Sequence, residues 1–329
     1  MGTMAETAQG AAAVPLEEIL TFAGRAPSVH NSQPWLWQRR GDALDLLADW
    51  SRWLRRADPH GRDLLLSCGA ALHHLRVASE AMGWSAVVEH QPDPDQPHLV
   101  ASVSFRPVTA YAEAADELGA LLARHTDRRR FADWPVPGAR LEAMAARGRR
   151  WGALVRIVED ESARTSLLEL TREADRRQNE DPGYVEELRS WSRAGQRDGV
   201  PPANVPAGRT TVPRRFPRGD LEDPAAVVDT SLPGIPAVLV VATSSDDALS
   251  HVRAGEALSD MWLHACRGGL VVVPLSQAVE VDETRRELRK GLLGDLACPQ
   301  ILLTVGFPTR ADVPPPRSPR RSVADLLLE

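Results

Sequence analysis

The amino-acid sequence predicts an α+β fold in which two similar halves follow each other along the chain. The helical pattern of residues 69–75 recurs at residues 255–261, an offset of 186 positions. Each copy ends at a glycine suited to a left-handed helix cap and then enters a β-rich segment. Gly69, Gly255 and nearby alanines allow a close helix–helix approach. Each half later contains an apolar run that ends in phenylalanine, at residues 99–105 and 301–307.

The other elements are predicted from periodicity and from helix-breaking residues. An amphipathic helix over residues 16–23 precedes an alternating, strand-like run over residues 36–47. After the first repeat, residues 115–123 have a helical pattern. Residues 162–197 are typical of two helices, broken at Asp181-Pro182-Gly183.

Composition excludes several classes of function. The 329 residues carry a net charge of −6 and a pI of about 5.9, which argues against nucleic acid as a partner. No run approaches the ~18 to 20 apolar residues that span a bilayer, and residues 1–13 do not resemble a signal peptide. Cys68, Cys266 and Cys298 lack metal-binding spacing and are expected to be buried free thiols. We therefore expect a cytoplasmic protein that binds neither membranes nor metal ions.

The most informative motif is Ala-Pro-Ser-Val-His-Asn-Ser-Gln-Pro-Trp at residues 26–35, between the first helix and the first strand. A loop with two amide side chains suits the polar edge of a flat heteroaromatic ring, although an ordinary helix–turn–strand junction could have the same sequence. The motif resembles the A-P-S-x-x-N-x-Q-P-W sequence of the FMN-dependent nitroreductase superfamily. That resemblance implies flavin contacts from Pro27, Ser28, Val29, His30, Asn31 and Gln33.

A second motif, Arg-His-Thr-Asp-Arg-Arg-Arg-Phe, occupies residues 124–131 at the end of a predicted helix. Arg124 and Thr126 are close enough in sequence to bond one phosphate group, although a solvated basic helix end is an alternative. The motif resembles the R-x-S/T-x-R/K…F sequence of the same superfamily, which grips the FMN phosphate and ribityl chain. Its spacing departs from the family pattern by one residue before the phenylalanine. Either Arg128 or Arg129 could therefore take the flavin-facing position.

Two further segments extend the resemblance along the chain. Residues 268–277 resemble the family segment that reaches the flavin ring, which implies contacts from Pro274, Leu275 and Ser276. The common Glu-Gly pair of that segment is replaced here by Ser-Gln. Residues 304–308 resemble the start of the family's G-Y-P…R ending, in which a late basic residue completes the phosphate site. The candidates for that residue are Arg320 and Arg321. No catalytic side chain is identified.

Each of the first two motifs occurs once, and they lie in different halves of the chain. In the family's dimer the two motifs reach one flavin from opposite subunits. The resemblance therefore implies one FMN site per chain, in a pseudo-dimer formed by residues 1–114 and 115–329. Such a chain would act as a monomer or as a homodimer.

Within the superfamily, the motifs most resemble the Acg-like actinobacterial subgroup, which has a duplicated nitroreductase fold. This resemblance leaves two functions open. One is an NAD(P)H-dependent oxidoreductase that passes electrons through flavin N5 to a nitro, quinone or related small-molecule acceptor. The other is a flavin-sequestering protein whose lid prevents turnover. Residues 194–224, rich in proline and glycine and without periodicity, are either that lid or a plain linker.

Overall fold

The computed structural model describes residues 13–91, 93, 95–109, 111–192, 197–207, 216, 219–221 and 236–328. Within these residues the chain forms a five-stranded sheet, a four-stranded sheet and the helices that pack on them. All strand pairs are antiparallel except one at the edge of the first sheet. The predicted α+β fold is confirmed.

In the first half, the order of one helix followed by two strands occurs twice. The elements are α1 (Leu16–Ala23), β1 (Trp35–Arg40), β2 (Ala43–Ala48), α2 (Arg62–Ala81), β3 (Trp84–His90) and β4 (Leu99–Pro107). Helix α3 (Ala114–Ala123) then leads into the second half. Its end coincides with the start of the second sequence motif.

The second half contains more helices than the first. Its elements are α4 (Gly138–Arg149), β5 (Leu154–Val158), α5 (Glu161–Glu180), α6 (Pro182–Ser190), β6 (Ala237–Thr243), α7 (Ala248–Arg267), β7 (Val271–Leu275), α8 (Gln277–Glu280), α9 (Asp282–Leu293) and β8 (Cys298–Gly306). A C-terminal segment follows and ends in α10 (Val323–Leu326) and β9 (Leu327–Leu328).

The two sheets have the same strand order. The first sheet is ordered β3-β4-β2-β1-β9, and the second is ordered β7-β8-β6-β5. Strands β1 to β4 therefore correspond to β5 to β8. Strand β9 is an addition that crosses from the second half and pairs in parallel with β1. This shared topology confirms the predicted pair of tandem, interlocked halves.

Helices α2 and α7 are the repeated helices, and they pack against each other between the two halves. Both contain 20 residues, and their first residues are 186 positions apart. A Cβ atom on Gly69 would overlap the carbonyl oxygen of Val252, and one on Gly255 would overlap that of Leu66. Leu66 and Val252 also share the 186-residue offset, so the contact is the same from both sides, as in a two-fold symmetric interface. The predicted close approach is confirmed.

The halves differ most in the connection between their first two strands. Strands β1 and β2 are joined by a tight turn at Gly41, whose φ is 61°, so the run expected over residues 36–47 is a hairpin. The corresponding strands β5 and β6 are joined by residues 159–236, which contain α5 and α6. These two helices are separated at Asp181, as predicted. The Asp181 side chain accepts a hydrogen bond from the N–H of Gly183.

Apolar side chains fill the space between the first sheet and α2. Trp35 and Trp37 of β1 are fully buried there, together with Leu72 of α2. Cys68 and Cys298 are buried, whereas Cys266 is half-buried, and all three are free thiols. None of the helices in the described part of the chain has the length and apolar character that a membrane span requires.

Candidate functional site

A cavity of about 610 Å³ lies between the two halves and brings the separate sequence motifs together. This volume is in the range of small-molecule and cofactor sites. All but two of the predicted site residues line its wall. These are Pro27, Ser28, Val29, His30, Asn31, Arg124, Thr126, Arg128, Arg129, Pro274, Leu275, Ser276 and Arg320.

The loop of the first motif has an unusual backbone. His30, Asn31 and Gln33 all have positive φ angles, of 47°, 55° and 51°. Three non-glycine residues in this region carry a conformational cost, which proteins tend to accept at functional sites. The Oγ of Ser28 accepts a hydrogen bond from the N–H of Gln33 at 2.9 Å, which closes the loop. The N–H of Val29 donates to the Oγ of Ser67 at 3.1 Å, which ties the loop to α2.

Asn31 joins three segments at the cavity wall. Its Oδ1 accepts a hydrogen bond from Arg320 at 2.7 Å. Its Nδ2 donates to the carbonyl oxygens of Gly199 at 2.9 Å and Pro319 at 3.0 Å. The polar atoms of Asn31 thus hold Arg320 and the region of the predicted lid in place. Both Nδ2 hydrogens are used in these bonds, whereas Oδ1 keeps a second lone pair that could accept from a ligand.

Gln33 and Arg321 do not line the cavity, which differs from the direct flavin contact that the resemblance implies for both. The fully buried Gln33 accepts a hydrogen bond from the N–H of Arg321 at 2.8 Å. The Arg321 guanidinium donates to the carbonyl oxygens of Gln33 and Trp35, at 3.1 and 3.3 Å. The neighbouring Arg320 lines the cavity, whereas Arg321 fastens the C-terminal segment to the first motif from behind.

The second motif begins where α3 ends and is fixed by its own charged residues. The Arg124 guanidinium lies 4.7 Å from the ring centroid of Trp262 and donates to the carbonyl oxygen of Arg25 at 2.9 Å. Asp127 and Arg129 form a buried ion pair at 2.6 Å. The Arg128 guanidinium donates to a backbone carbonyl at 3.3 Å. Arg128 and Arg129 both reach the cavity wall, so the structure leaves both as candidates.

Phe131, the last residue of the second motif, fastens it to the end of β8. A Cβ atom on Gly306 would lie 2.6 Å from the Phe131 ring, so only glycine leaves room for this contact. The N–H of Ala132 donates to the carbonyl oxygen of Phe307 at 2.9 Å. These contacts give the Gly-Phe-Pro segment a structural role beside the cavity.

Seven arginines and two aspartates line the wall, so the cavity is cationic; Arg25, Arg124, Arg317 and Arg320 are among these arginines. Burial lowers the pKa of Arg124 to about 10. Burial, with the nearby charges of Arg124 and Arg25, lowers the pKa of Arg320 to about 9. Among the described residues, no carboxylate is ion-paired with either group. Within the part of the chain that the structure describes, the buried Nε atoms of Arg25, Arg124 and Arg320 have no hydrogen-bond partner. The arrangement favours an anionic ligand.

The end of β7 and the start of α8 supply another part of the wall, an apolar strip with one hydroxyl, formed by Pro274, Leu275 and Ser276. The carbonyl oxygen of Ser276 accepts hydrogen bonds from the N–H groups of Val279 and Glu280, at 2.8 and 2.9 Å. These bonds begin α8 and fix the strip. A flat ring between this strip and the first motif would contact both halves of the chain.

The described part of the predicted lid also reaches the cavity. Val200, Val205 and Phe216 line the wall, whereas residues 194–196, 208–215, 217–218 and 222–224 lie outside the described residues. The Phe216 ring packs edge-on against His30, with 5.2 Å between ring centroids. The Arg128 guanidinium lies 5.1 Å from the same ring. Phe216 therefore bridges the first and second motifs.

Sequence patterns did not identify several wall residues, because tertiary contacts alone place them there. Arg25 directly precedes the first motif, and its position there was the available signal. Arg317 lies in the proline- and arginine-rich segment that also holds Arg320. Trp262 lies within one of the repeated helices, and no sequence pattern distinguishes it as a residue of the cavity wall.

No protein-family model matches the chain. "Putative NAD(P)H nitroreductase Rv3131" of Mycobacterium tuberculosis H37Rv is 38% identical over 315 residues, which cover 94% of this chain and 90% of that protein. "Putative NAD(P)H nitroreductase acg" of the same organism is 33% identical over 323 residues, which cover 94% of each chain. A solved nitroreductase with bound FMN from Bacteroides fragilis is 13% identical, covers 61% of this chain and 93% of that one, and has a TM-score of 0.40. On the strength of the two mycobacterial sequences, this chain belongs to the NAD(P)H nitroreductase family of Rv3131 and Acg.

Proposed function

We propose that the chain binds FMN in this cavity and acts as an NAD(P)H-dependent oxidoreductase on a nitro, quinone or related small-molecule acceptor. The observation that carries the proposal is the group of wall arginines at the point where the two motifs meet. Buried guanidinium groups without carboxylate partners are costly unless an anion joins them. The phosphate of FMN, with its two negative charges and several acceptor oxygens, meets this requirement.

The rest of the cavity fits the other parts of the cofactor. Its volume of about 610 Å³ is within the range of cofactor sites. We assign the phosphate to Arg124, Arg320 and the hydroxyl of Thr126. The apolar strip of Pro274, Leu275 and Ser276 is assigned to the face of the ring, and the first motif to its polar edge.

When bound, FMN supplies two-electron chemistry at its N5 atom between NAD(P)H and the acceptor. The contribution of the chain is to bind, to orient and to exclude water. Arg128 or Arg129 places positive charge on the wall, which would stabilise negative charge on a reduced ring.

The proposed site is single because each half supplies different parts of it. The first half, residues 1–114, gives the 26–35 loop, and the second half, residues 115–329, gives the arginine motif, the strip and the C-terminal segment. In this proposal the two halves take the roles of the two subunits of a dimer, and a monomer is sufficient for binding.

Purified protein is therefore expected to carry about one noncovalent FMN per chain. Acid extraction, followed by chromatography of the released flavin and by a protein assay, measures this ratio. Release of FAD, of no flavin, or of two FMN per chain would contradict the split site. Anaerobic mixing of the flavin-loaded protein with NADPH or NADH then tests turnover, through loss of the yellow flavin absorbance.

Phe216 offers a test of whether residues 194–224 cover the cavity. Replacing Phe216 with alanine removes the ring that bridges His30 and Arg128. We expect flavin reduction by NADPH or dithionite to become about tenfold faster, because access to the ring is no longer gated. Stopped-flow absorbance measures the rate.

The exposed residue Trp134, which is not part of the cavity wall, provides the matched control variant Trp134→Ala. Its reduction rate should equal that of the wild type. Fast reduction of the wild type, with no gain in the Phe216 variant, would show that the segment is a linker. The flavin-sequestering function would then be excluded.

A further inference from the structure

The positive charge on the cavity wall exceeds what one FMN phosphate requires. Seven arginines line the wall, whereas its carboxylates are those of Asp63 and Asp133, and the buried Asp127 balances Arg129. Four positive charges are therefore left over, and a phosphate group carries only about two negative charges. Such an excess favours a second anionic group in the same cavity.

Arg25 and Arg317 are wall arginines that the proposed contacts to FMN do not use. Neither guanidinium forms an ion pair with a described carboxylate, and no described residue bonds the buried Nε atom of Arg25. Burial lowers the pKa of Arg25, and the positive charge of Arg317 lowers it further, which is the effect of a neighbouring like charge. These two arginines form a second cationic pair on the wall, here called the outer pair.

The outer pair extends from the proposed phosphate site toward the opening of the cavity. The carbonyl oxygen of Arg25 accepts hydrogen bonds from Arg124 at 2.9 Å and from Arg320 at 3.4 Å, so Arg25 adjoins that site. Arg124 is buried, Arg25 is half-buried and Arg317 is exposed. Since Arg317 also lines the wall, it lies where the cavity meets the solvent. The outer pair is thus accessible to a ligand that enters from the solvent.

The segment that carries Arg317 is fixed on both sides of this residue. The Nδ2 of Asn204 donates to the carbonyl oxygen of Pro316, and the Nδ2 of Asn31 donates to that of Pro319 at 3.0 Å. Three consecutive prolines precede Arg317, and their rings restrict the backbone further. The exposed guanidinium is therefore attached to an ordered backbone, which reduces the entropy that is lost when it binds an anion.

We propose that the outer pair is a second anion subsite, which binds a phosphate group of NAD(P)H, the electron donor of the proposed reaction. The inference rests on the proposed function for the identity of this ligand. A nitro or quinone group is uncharged, so NAD(P)H is the ligand in that proposal, besides FMN, whose phosphates are always charged. Two guanidinium groups can donate several charge-assisted hydrogen bonds to phosphate oxygens.

Binding of the oxidised dinucleotides to FMN-saturated protein tests the subsite without turnover. NADP⁺ and NAD⁺ are titrated by calorimetry into the wild type and into the Arg317→Gln and Arg25→Gln variants. We expect each substitution to raise the Kd for NADP⁺ about tenfold, because a partly solvated, charge-assisted hydrogen bond to phosphate is lost. A smaller effect on NAD⁺ would identify the 2′-phosphate as the bound group, and an equal effect would identify the pyrophosphate.

Arg286→Gln is the matched control, because it removes the charge of an arginine that is 66% exposed and is not on the wall. Its Kd for both dinucleotides should equal that of the wild type. No measurable dinucleotide binding by the wild type, or an unchanged Kd in Arg317→Gln, would overturn the inference. A loss of FMN affinity in Arg317→Gln as large as that in Arg124→Gln would also overturn it, because Arg317 would then belong to the cofactor site.

Failure of the proposed function would give a different result. If the wild-type protein binds no FMN at all, the cofactor assignment fails. Inorganic pyrophosphate is then titrated into the flavin-free Arg124→Gln variant, with and without the Arg317→Gln substitution. A weaker affinity of the double variant would support an anion subsite at the outer pair, and equal affinities would contradict it.

Discussion

Replacing Arg124 with glutamine is expected to raise the Kd for FMN by about 30-fold to several thousand-fold. The reason is that a buried phosphate loses a charged partner, which typically costs ~2–5 kcal/mol. Glutamine removes the charge but keeps a polar side chain at this buried position. The Kd is measured by quenching of flavin fluorescence on titration with flavin-free protein.

The thermal stability of the flavin-free Arg124→Gln variant gives a second measurement. Here the substitution is expected to be neutral or favourable, although it weakens FMN binding. Because Arg124 and Arg320 repel each other when no anion is present, removal of one charge should leave the Tm unchanged or raise it. Arg286→Gln is the control, since Arg286 is 66% exposed on α9 and remote from the cavity. Equal FMN affinity in the Arg124 and Arg286 variants would contradict the phosphate assignment.

Replacing Gly69 with alanine is expected to destabilise the protein by at least about 3 kcal/mol. The added methyl group would overlap the carbonyl oxygen of Val252, which belongs to the backbone of α7 and cannot rotate away. The two central helices would have to separate, and the cavity between the halves would open with them. We expect both a lower free energy of unfolding, measured with urea, and a loss of bound flavin.

Gly291→Ala is the matched control for this prediction. Gly291 lies within α9, and a Cβ atom there would meet no atom within 4 Å. Alanine favours a helix over glycine by about 1 kcal/mol, so this variant should be slightly more stable than the wild type. If the Gly69 variant behaved in the same way, the close packing of α2 against α7 would be wrong.

The tandem fold could be predicted because its signal is a long, regular pattern. Two 20-residue helices at a constant offset, with Gly69 and Gly255 at equivalent positions, are visible in the chain itself. The turn at Gly41 was missed because apolar alternation continues on both sides of it. The two-residue strand β9 was missed because it is too short to show any period.

The parts of the site that belong to a motif of several residues could be predicted from the sequence. Single residues that reach the cavity only through the tertiary fold could not be predicted. The loop and arginine motifs do meet at one cavity. However, which side of an extended segment faces the cavity depends on packing that a motif does not encode. For this reason Arg320 and Arg321 were both candidates, although only Arg320 lines the wall. Trp262 and Phe216 reach the wall only through contacts between distant elements.

The parallel pairing of β9 with β1 has a consequence for how the chain folds. Trp37 near the start of the described chain pairs with Leu327 near its end. The first sheet cannot gain this edge strand until the chain has been synthesised through residue 328, and contacts so distant in sequence form slowly. Arg320 lies in the same late segment, so the newly made protein completes the proposed anion site and the edge of its first sheet at the same stage. Cofactor capture should therefore follow, rather than guide, the early steps of folding.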